Sequence, residues 1–525
     1  MPPTTSTTPA GGAPHGTAAR EVELKLHVAP ADLARVASLP AVLERADGPA
    51  SVRHLHTVYF DTPDLRLFAN GVALRVRRDG DRFTQTLKTV NSATPGDSAA
   101  VAVRRKWEWP VPGEAPDLSV LAAEGVAGLV PAEARNAIVP LFTTRFRRTA
   151  LLVRPDPLTT IEVAVDEGEV AAGGATAAIS EVELELKAGR VGRLFDLALH
   201  LQRAIPMRIG TESKAEVGLR LVTARLPAPM ESEPLGLSPV TTVAEAYRHI
   251  VRHALRQFLA NEACALAGGD VEGLHRMRIA LRRLRIAHRL FAPLIGSAEA
   301  DRLVAESRAL AKRLGPARGW DVLLSEVIAP LSADPKAPDG LPALAAAARN
   351  AGSGPAREAV AAILAPGCTT LVLALAAWLE DGRWITDADA ARRADLNAPV
   401  AAVAGGWLSA RLAKLGRTAK PPDDAKGREK LRGRLRTLRY TAEFFRGLHA
   451  ESATLPFIAA LESLLAALDA DHDAVTSRRM LNTLPGVDPR TAAATILRID
   501  HQADKRRKAL PNLWKRFRET PVFWT

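Results

Sequence analysis

From Glu21 to about Val222, polar and apolar residues alternate one by one. Glu21-Val22-Glu23-Leu24-Lys25-Leu26 is followed by Leu74-Arg75-Val76-Arg77, Ile161-Glu162-Val163-Ala164-Val165-Asp166 and Glu181-Val182-Glu183-Leu184-Glu185-Leu186-Lys187. A period of two puts successive side chains on opposite faces of a strand. An ordinary half-buried sheet would mix Ser and Thr into its polar face, but here that face is almost wholly charged, strand after strand. A closed barrel with a polar interior organises such charges, with the outward apolar positions lying under covering helices. Segments 31–43 and 192–203 are the expected cover. Residues 223–239, with Pro227, Pro229, Pro234, Gly236 and Pro239, follow neither period and read as a linker. Beyond it Val243, Tyr247, Ile250, Val251, Ala254, Leu255 and Phe258 recur at helical spacing, and Ala/Leu/Arg-rich segments continue to the C-terminus. The expected class is multidomain α+β: a disordered tail (1–19), a barrel domain with covering helices (20–222), the linker (223–239) and an all-α bundle (240–525). Segments 332–342 and 414–425 read as exposed loops.

A chain of 525 residues exceeds one ordinary core, which agrees with two domains. Lys and Arg outnumber Asp and Glu by 70 to 58, a formal charge of +12, which favours a polyanionic partner: nucleic acid, polyphosphate or an anionic membrane. No zinc-finger, RRM or helix-turn-helix signature supports nucleic acid. No run of about 18 uncharged apolar residues suggests a spanning helix, and the first residues lack the apolar core of a leader. Cys264 and Cys368 have neither CxxC nor Cys/His spacing, which argues against a thiolate zinc site or disulfide framework and fits a reducing cytoplasm.

Glu21, Glu23 and Lys25 share one strand face. Paired carboxylates are hard oxygen ligands suited to Mg2+ or Mn2+, and Glu181, Glu183 and Glu185 offer a second acidic face. Opposing them are Arg75, Arg77, Lys88, Arg104, Arg145, Arg147 and Lys214, whose converging cations match a chain of phosphates. Any one of these patterns alone is compatible with a solvated edge strand, and Tyr59-Phe60-Asp61-Thr62 with a strand entering a turn. As a set, Glu21-x-Glu23-x-Lys25, Tyr59-Phe60-Asp61-Thr62, Leu74-Arg75-x-Arg77, Lys88, Glu162-(x)3-Asp166-x-Gly168, Glu181-x-Glu183-x-Glu185 and Ser213-Lys214-Ala215 resemble the CYTH family, the triphosphate tunnel metalloenzymes. The resemblance implies a closed antiparallel eight-stranded tunnel in which water attacks the terminal phosphoryl group. It implies Glu21, Glu23, Glu183 and Glu185 as metal ligands, and Lys25, Arg75, Arg77, Lys88 and Lys214 as phosphate ligands, with Glu21, Glu23 and Lys25 at the catalytic centre. Where the family usually has Arg-x-Glu, this chain reads Arg104-Arg105-Lys106-Trp107-Glu108, so Arg104, Lys106 and Glu108 are expected inside and Trp107 outside. Either the Glu has moved by two or a Lys replaces it. The positions of Arg145 and Arg147 are left open.

In the second half His275, Arg278, Arg282, Arg285 and Arg289 fall at spacings of three and four, on one helix face with apolar flanks to both sides. Such a row is expected to face a gap in the bundle and to attract an anion. Glu429, Arg432, Arg436 and Arg439 repeat the pattern, an internal duplication, and two such helices together would make a groove for a linear polyanion. These segments, with Leu314-Gly315-(x)5-Asp321 and Leu438-Arg439-Tyr440, resemble the CHAD family, helical domains associated with polyphosphate. The second copy departs from that pattern: Glu429 stands where His is usual, Glu462 and Ala466 where Gln and Gly are usual, and the later Asp is displaced to Asp469 or Asp473. In the basic tail, Trp514 and Phe517 are expected to dock a last helix while Lys505, Arg506, Arg507 and Lys508 stay wet. The expected whole is a metal-dependent inorganic triphosphatase joined to a polyphosphate-binding domain, cytoplasmic and associated with polyphosphate granules. The alternatives are a non-catalytic polyphosphate scaffold or a hydrolase of an organic triphosphate.

Overall fold

Strand alternation closes into a ring. The computed structural model describes residues 19–89, 100–123, 125–267, 272–334, 337–416 and 420–524, and the expected tail lies outside them except for Ala19. The strands are β1 (Ala19–Val28), β2 (Ser51–Asp61), β3 (Val72–Asp79), β4 (Arg82–Thr89), β5 (Ala102–Val111), β6 (Val139–Asp156), β7 (Thr159–Ala172), β8 (Ala175–Ala188) and β9 (Met207–Ile209). They pair in the order β5-β4-β3-β2-β6-β7-β8-β1-β9, and an antiparallel β1–β5 pairing closes the first eight into a barrel. Short β9 extends β1 beyond the ring, pairing with Leu26 to Val28. The chain contracts into two compact units, Met1–Leu226 and Pro227–Thr525.

Outward apolar side chains carry the first unit's core. Leu24, Leu26, Val163, Val182 and Leu184 are fully buried, as are Val36, Leu194 and Phe195 of the covering helices Pro30–Val36 and Gly192–Ala204. Each such side chain contributes about 1.5–3 kcal/mol by leaving water. On the far side Leu67, Val72, Leu74, Leu87 and Trp109 pack with Leu121, Val130 and Ala134, and Trp107 leans on that cluster. The Asp61 carboxylate accepts the backbone N–H groups of Thr62, Leu67 and Phe68 at 2.7, 2.8 and 3.0 Å, so it holds the turn after β2.

The helix Lys214–Thr223, which the alternation does not announce, enters the barrel. Ser213 caps it in a reciprocal box with Glu216. Its Ala215 and Leu219 pack against Leu55, Tyr59, Phe142, Phe146, Val170, Ala172 and Ile179, inward residues of β2, β6, β7 and β8. A Cβ at Gly218 would come within 2.1 Å of the Phe142 ring, so only glycine lets the helix sit this deep. One end of the lumen is therefore filled with apolar side chains.

The second unit is all-α. Residues 230–237 of the expected linker are strapped to it. Met230 exchanges two hydrogen bonds with the Asn261 side chain (2.9 and 3.0 Å), Ser232 meets Arg283, and Leu235 and Leu237 are buried. The arginine-bearing helices Glu272–Ile295 and Ala425–Phe445 touch each other. Trp514 and Phe517 dock the last helix, Pro489–Glu519, at 1% and 2% exposure, while Lys505, Arg506 and Lys508 stay exposed. The helix Glu451–Thr483 is long and apolar enough, by length and composition, to cross a membrane. Its Leu461, Leu464, Leu465 and Leu468 are instead buried in the bundle, the pattern of a core helix.

Candidate functional site

The unfilled part of the lumen is a cavity of about 290 Å3. Its described lining holds ten basic side chains (Lys25, Arg53, Arg75, Arg77, Lys88, Arg104, Lys106, Arg148, Lys187 and Lys214) and six acidic ones (Glu21, Glu23, Glu108, Glu162, Glu183 and Glu185). That excess of described basic side chains favours an anion in the cavity. Strand register sets the layout. Lys25 lies opposite Glu183 and Glu23 opposite Glu185 on the β1–β8 pair, and Glu21 lies opposite Arg104 on β1–β5.

On the β7–β8 side the charges are interlocked. Lys214 Nζ reaches Asp166 at 2.7 Å and Glu183 at 2.8 Å and also binds Glu181. Lys25 Nζ reaches Glu181 at 3.0 Å and Glu183 at 3.3 Å. Arg148 grips Asp166 and also binds Glu183. Burial opposes charging of Lys25, but Glu181 and Glu183 outweigh it and keep the ammonium protonated. One oxygen from each of Asp166, Glu181 and Glu183 lies within 4.8 Å of the others, close enough to share a cation.

On the β1–β5 side Glu21 accepts from Lys88 at 2.7 Å and lies 3.7 Å from Lys106, which is also 3.4 Å from Glu108. Burial alone would raise the Glu21 carboxyl, but Lys88, Lys106 and Arg75 hold it at about 2. Glu23 differs. It is buried, and among the described residues it has neither hydrogen bond nor ion pair, so burial and the nearby Glu183 push its pKa up. Arg75 donates to the Tyr59 hydroxyl (3.2 Å) and Arg77 to Thr57 Oγ1 (3.3 Å), so neither reaches a described carboxylate. Burial and the neighbouring Arg75 and Arg148 lower Arg77 to about 9. Burial and Arg75 lower Lys88 to about 8, against the pull of Glu21.

In the helical unit the two arginine rows do meet, but they are not alike. Arg278 is pushed down to about 10 by burial and by Arg282, Arg318, Arg436 and Arg285, so Arg436 of the second row stands beside the first. Burial and the same guanidinium crowd push His275 to about 3. Arg278 donates only to the Gly315 carbonyl (3.4 Å), and Arg282 and Arg285 reach no carboxylate among the described residues. In the second row Arg432 binds Glu429 (2.8 Å) and Asp469 (3.2 Å), Arg436 binds Asp469, and Arg439 binds Glu443 (2.8 Å) and Glu462 (2.9 Å).

Residues 19–219 match the profile of the CYTH domain, and residues 249–482 that of the CHAD domain. The chain carries a CYTH domain followed by a CHAD domain. A 208-residue stretch is 32% identical to an inorganic triphosphatase of Haemophilus influenzae, covering 38% of this chain and 55% of that protein. The chain thus spans about half the length of that curated relative. A solved CHAD domain from Ricinus communis is 27% identical, with a TM-score of 0.47 over 56% of this chain and 98% of that one. HpAC1 from Hippeastrum, with a dominant triphosphatase activity, is 18% identical, with a TM-score of 0.28 over 38% of this chain and 95% of that one.

The CYTH tunnel brings together Glu21, Glu23, Lys25, Arg75, Arg77, Lys88, Arg104, Glu183, Glu185 and Lys214, as the motifs lead one to expect. It does not bring in Arg145 and Arg147. Both are exposed on the outer face of β6, where Arg147 pairs with Glu167 at 3.1 Å. The inward residue is Arg148, in phase with Thr144 and Phe146. That phase is present in the sequence and would have found it. Asp166, in phase with Glu162 and Ala164, is likewise a site residue to which the motif alone attaches no role. In the CHAD domain Arg289 is exposed at the end of its row, and Asp469 rather than Asp473 is the acid that reaches the second row. Asp473, which burial and the charges of Asp469 and Glu326 push to about 6 against the pull of Arg432 and Arg436, forms no ion pair among the described residues.

Proposed function

We propose that the CYTH domain hydrolyses inorganic triphosphate with a divalent metal, Mg2+ or Mn2+, and that the CHAD domain binds inorganic polyphosphate. The carrying observation is Glu23, a buried carboxylate beside Glu183 that has no ion pair among the described residues, in a cavity whose described basic side chains outnumber its acidic ones. Glu23, crowded by Glu183, calls for a cation, and Arg77, crowded by Arg75 and Arg148, calls for an anion. A metal triphosphate supplies both.

The donor set fits a hard cation: Glu21, Glu23, Glu183 and Glu185 line the cavity, and the convergent oxygens of Asp166 and Glu181 lie beside them. When bound, the metal would neutralise phosphate oxygens and polarise the terminal phosphoryl group. The chain's residues do the rest by position and charge, since phosphoryl transfer asks little covalent chemistry of a protein. Arg75 and Arg77 turn from the hydroxyls of Tyr59 and Thr57 to the phosphate oxygens. Lys88, Arg104 and Arg148 stabilise charge along the chain, and Lys25 and Lys214, held protonated, act electrostatically rather than as bases. Water attacks the terminal phosphorus, pyrophosphate leaves, and phosphate is released.

Phosphate release from inorganic triphosphate, ATP and long polyphosphate, each with Mg2+, Mn2+ and chelator, tests this reading. The expected result is release from triphosphate that chelator stops. One observation favours a second reading, a tunnel that holds a polyanion without cleaving it: Lys106 gives Glu21 a second ammonium where a metal would otherwise sit. Tight triphosphate binding without turnover would establish it. Polyphosphate binding by the CHAD domain would place the chain at cytoplasmic polyphosphate granules.

A further inference from the structure

The two arginine rows of the CHAD domain are copies in sequence and opposites in electrostatic state. In the first, Arg278, Arg282 and Arg285 stand close together with no described carboxylate to neutralise them. In the second, every row arginine is tied: Arg432 to Glu429 and Asp469, Arg436 to Asp469, and Arg439 to Glu443 and Glu462. Three of those acids, Glu429, Glu462 and Asp469, stand at or near the positions where this copy departs from its pattern. Glu429 replaces the histidine that heads the first row, and Glu462 and Asp469 come from the helix Glu451–Thr483. A carboxylate and a phosphate oxygen compete for the same guanidinium fork, so a tied arginine yields to a polyanion only if the acid is displaced.

We infer that Glu429, Glu462 and Asp469 act as built-in counter-anions of the CHAD domain. The inference rests on the polyphosphate reading above. The open row of Arg278, Arg282 and Arg285 makes first contact with the chain of phosphates. The tied row engages only a ligand with enough linked phosphates to outcompete three carboxylates at once. The acids thus set specificity. Short phosphates and scattered anions meet one row and gain little, while long polyphosphate spans both and gains the second row cooperatively. Half-exposed Glu429 and Glu462, at 52% and 46%, can swing into water when displaced.

The test is binding of end-labelled inorganic polyphosphate, long and short, to the full chain at about 0.15 M salt, where screening limits long-range charge effects to roughly 8 Å. Glu429→Gln with Glu462→Gln should tighten long-chain binding about tenfold and narrow the preference for long over short chains. A control with the same change in net charge, Asp381→Asn with Glu519→Gln, frees the exposed cations Arg383 and Lys515 instead and should change binding by less than about twofold. Asp469→Asn, which frees Arg432 and Arg436, should act like the first pair and provides a second route to the result. Arg278→Gln with Arg282→Gln should weaken binding at least thirtyfold, roughly the loss of two charge-assisted contacts. The inference is overturned if the acid-to-amide variants bind no tighter than the parent chain, or if the control tightens binding as much. If the parent chain binds no polyphosphate of any length, the polyphosphate reading itself fails and this inference falls with it.

Discussion

Arg148 stands directly opposite Asp166 on the paired strands β6 and β7 and holds it with two hydrogen bonds, 2.7 and 2.6 Å long. The fork also reaches Glu183, so one guanidinium fixes two of the three carboxylates on that wall. Arg148→Gln should therefore reduce triphosphate turnover about 100-fold, the scale of losing one preorganised charge contact. It should also cost stability, about 3 kcal/mol, because Asp166 is left with one fewer partner in a fully buried position. Arg145→Gln and Arg147→Gln, on the exposed face, should leave both within error. Turnover assays and denaturant titrations on the three variants check the assignment, and equal losses at Arg147 and Arg148 would refute it.

Glu23→Gln removes a buried carboxylate that has no described partner. An unpaired buried charge is costly, so without metal the variant should melt at or slightly above the parent's temperature. Metal-dependent turnover should fall about 1000-fold, as expected for a lost ligand. Melting curves with and without Mg2+ separate the two effects, because metal should raise the melting temperature of the parent but not of the variant.

Met230, Ser232, Leu235 and Leu237 strap the second part of the 223–239 segment to the helical unit and leave its first part for a protease. Protease should cut within 224–229, where Ala224, Arg225, Leu226 and Ala228 are exposed, rather than in 230–239. Mass spectrometry of early digestion products reads the position directly. Fragments ending near 226 and beginning near 227 should each give a cooperative melt.

His253, beside Arg283 and Arg256 and 3.3 Å from Ser232 Oγ, is pushed by burial and those charges to about 3. Its folded pKa lies below the unfolded value of about 6.5, so between those limits the unfolded chain binds the extra proton. The helical unit should lose stability as pH falls from about 6.5 toward 3, and His253→Gln should flatten that part of the curve. An unchanged slope would mean His253 is not held neutral.

Much of this was legible in the chain because a charged strand face has few structural uses. Glu21, Glu23 and Lys25, with Arg75, Arg77 and Glu183, could be placed inside by counting in twos, and the barrel follows from asking where such a face could hide. Arg145 and Arg147 show where motif spacing misleads. Three arginines in four residues invite the wrong pair, and only the phase of buried Thr144 and Phe146 selects Arg148. The plug helix was hidden for another reason. Ala215, Gly218 and Leu219 make a weak apolar stripe, because the barrel wall supplies most of the contact. The asymmetry of the arginine rows was visible only as departures at Glu429 and Glu462. Glu429 and Arg432 are i,i+3 neighbours on one helix, but the pairing of Glu462 with Arg439 and of Asp469 with Arg432 and Arg436 depends on which turns of the helix Glu451–Thr483 lie alongside, and a one-dimensional pattern does not carry that.

The helix Lys214–Thr223, seated against Phe142 and Tyr59, fills one end of the CYTH barrel among the described residues. On the proposed reading, substrate and products would share the other end, so a phosphate chain would be presented by its tip and cut from an end. Each turnover would have to empty the chamber before the next begins, and pyrophosphate lingering among the tunnel's cations would be a natural brake on the rate.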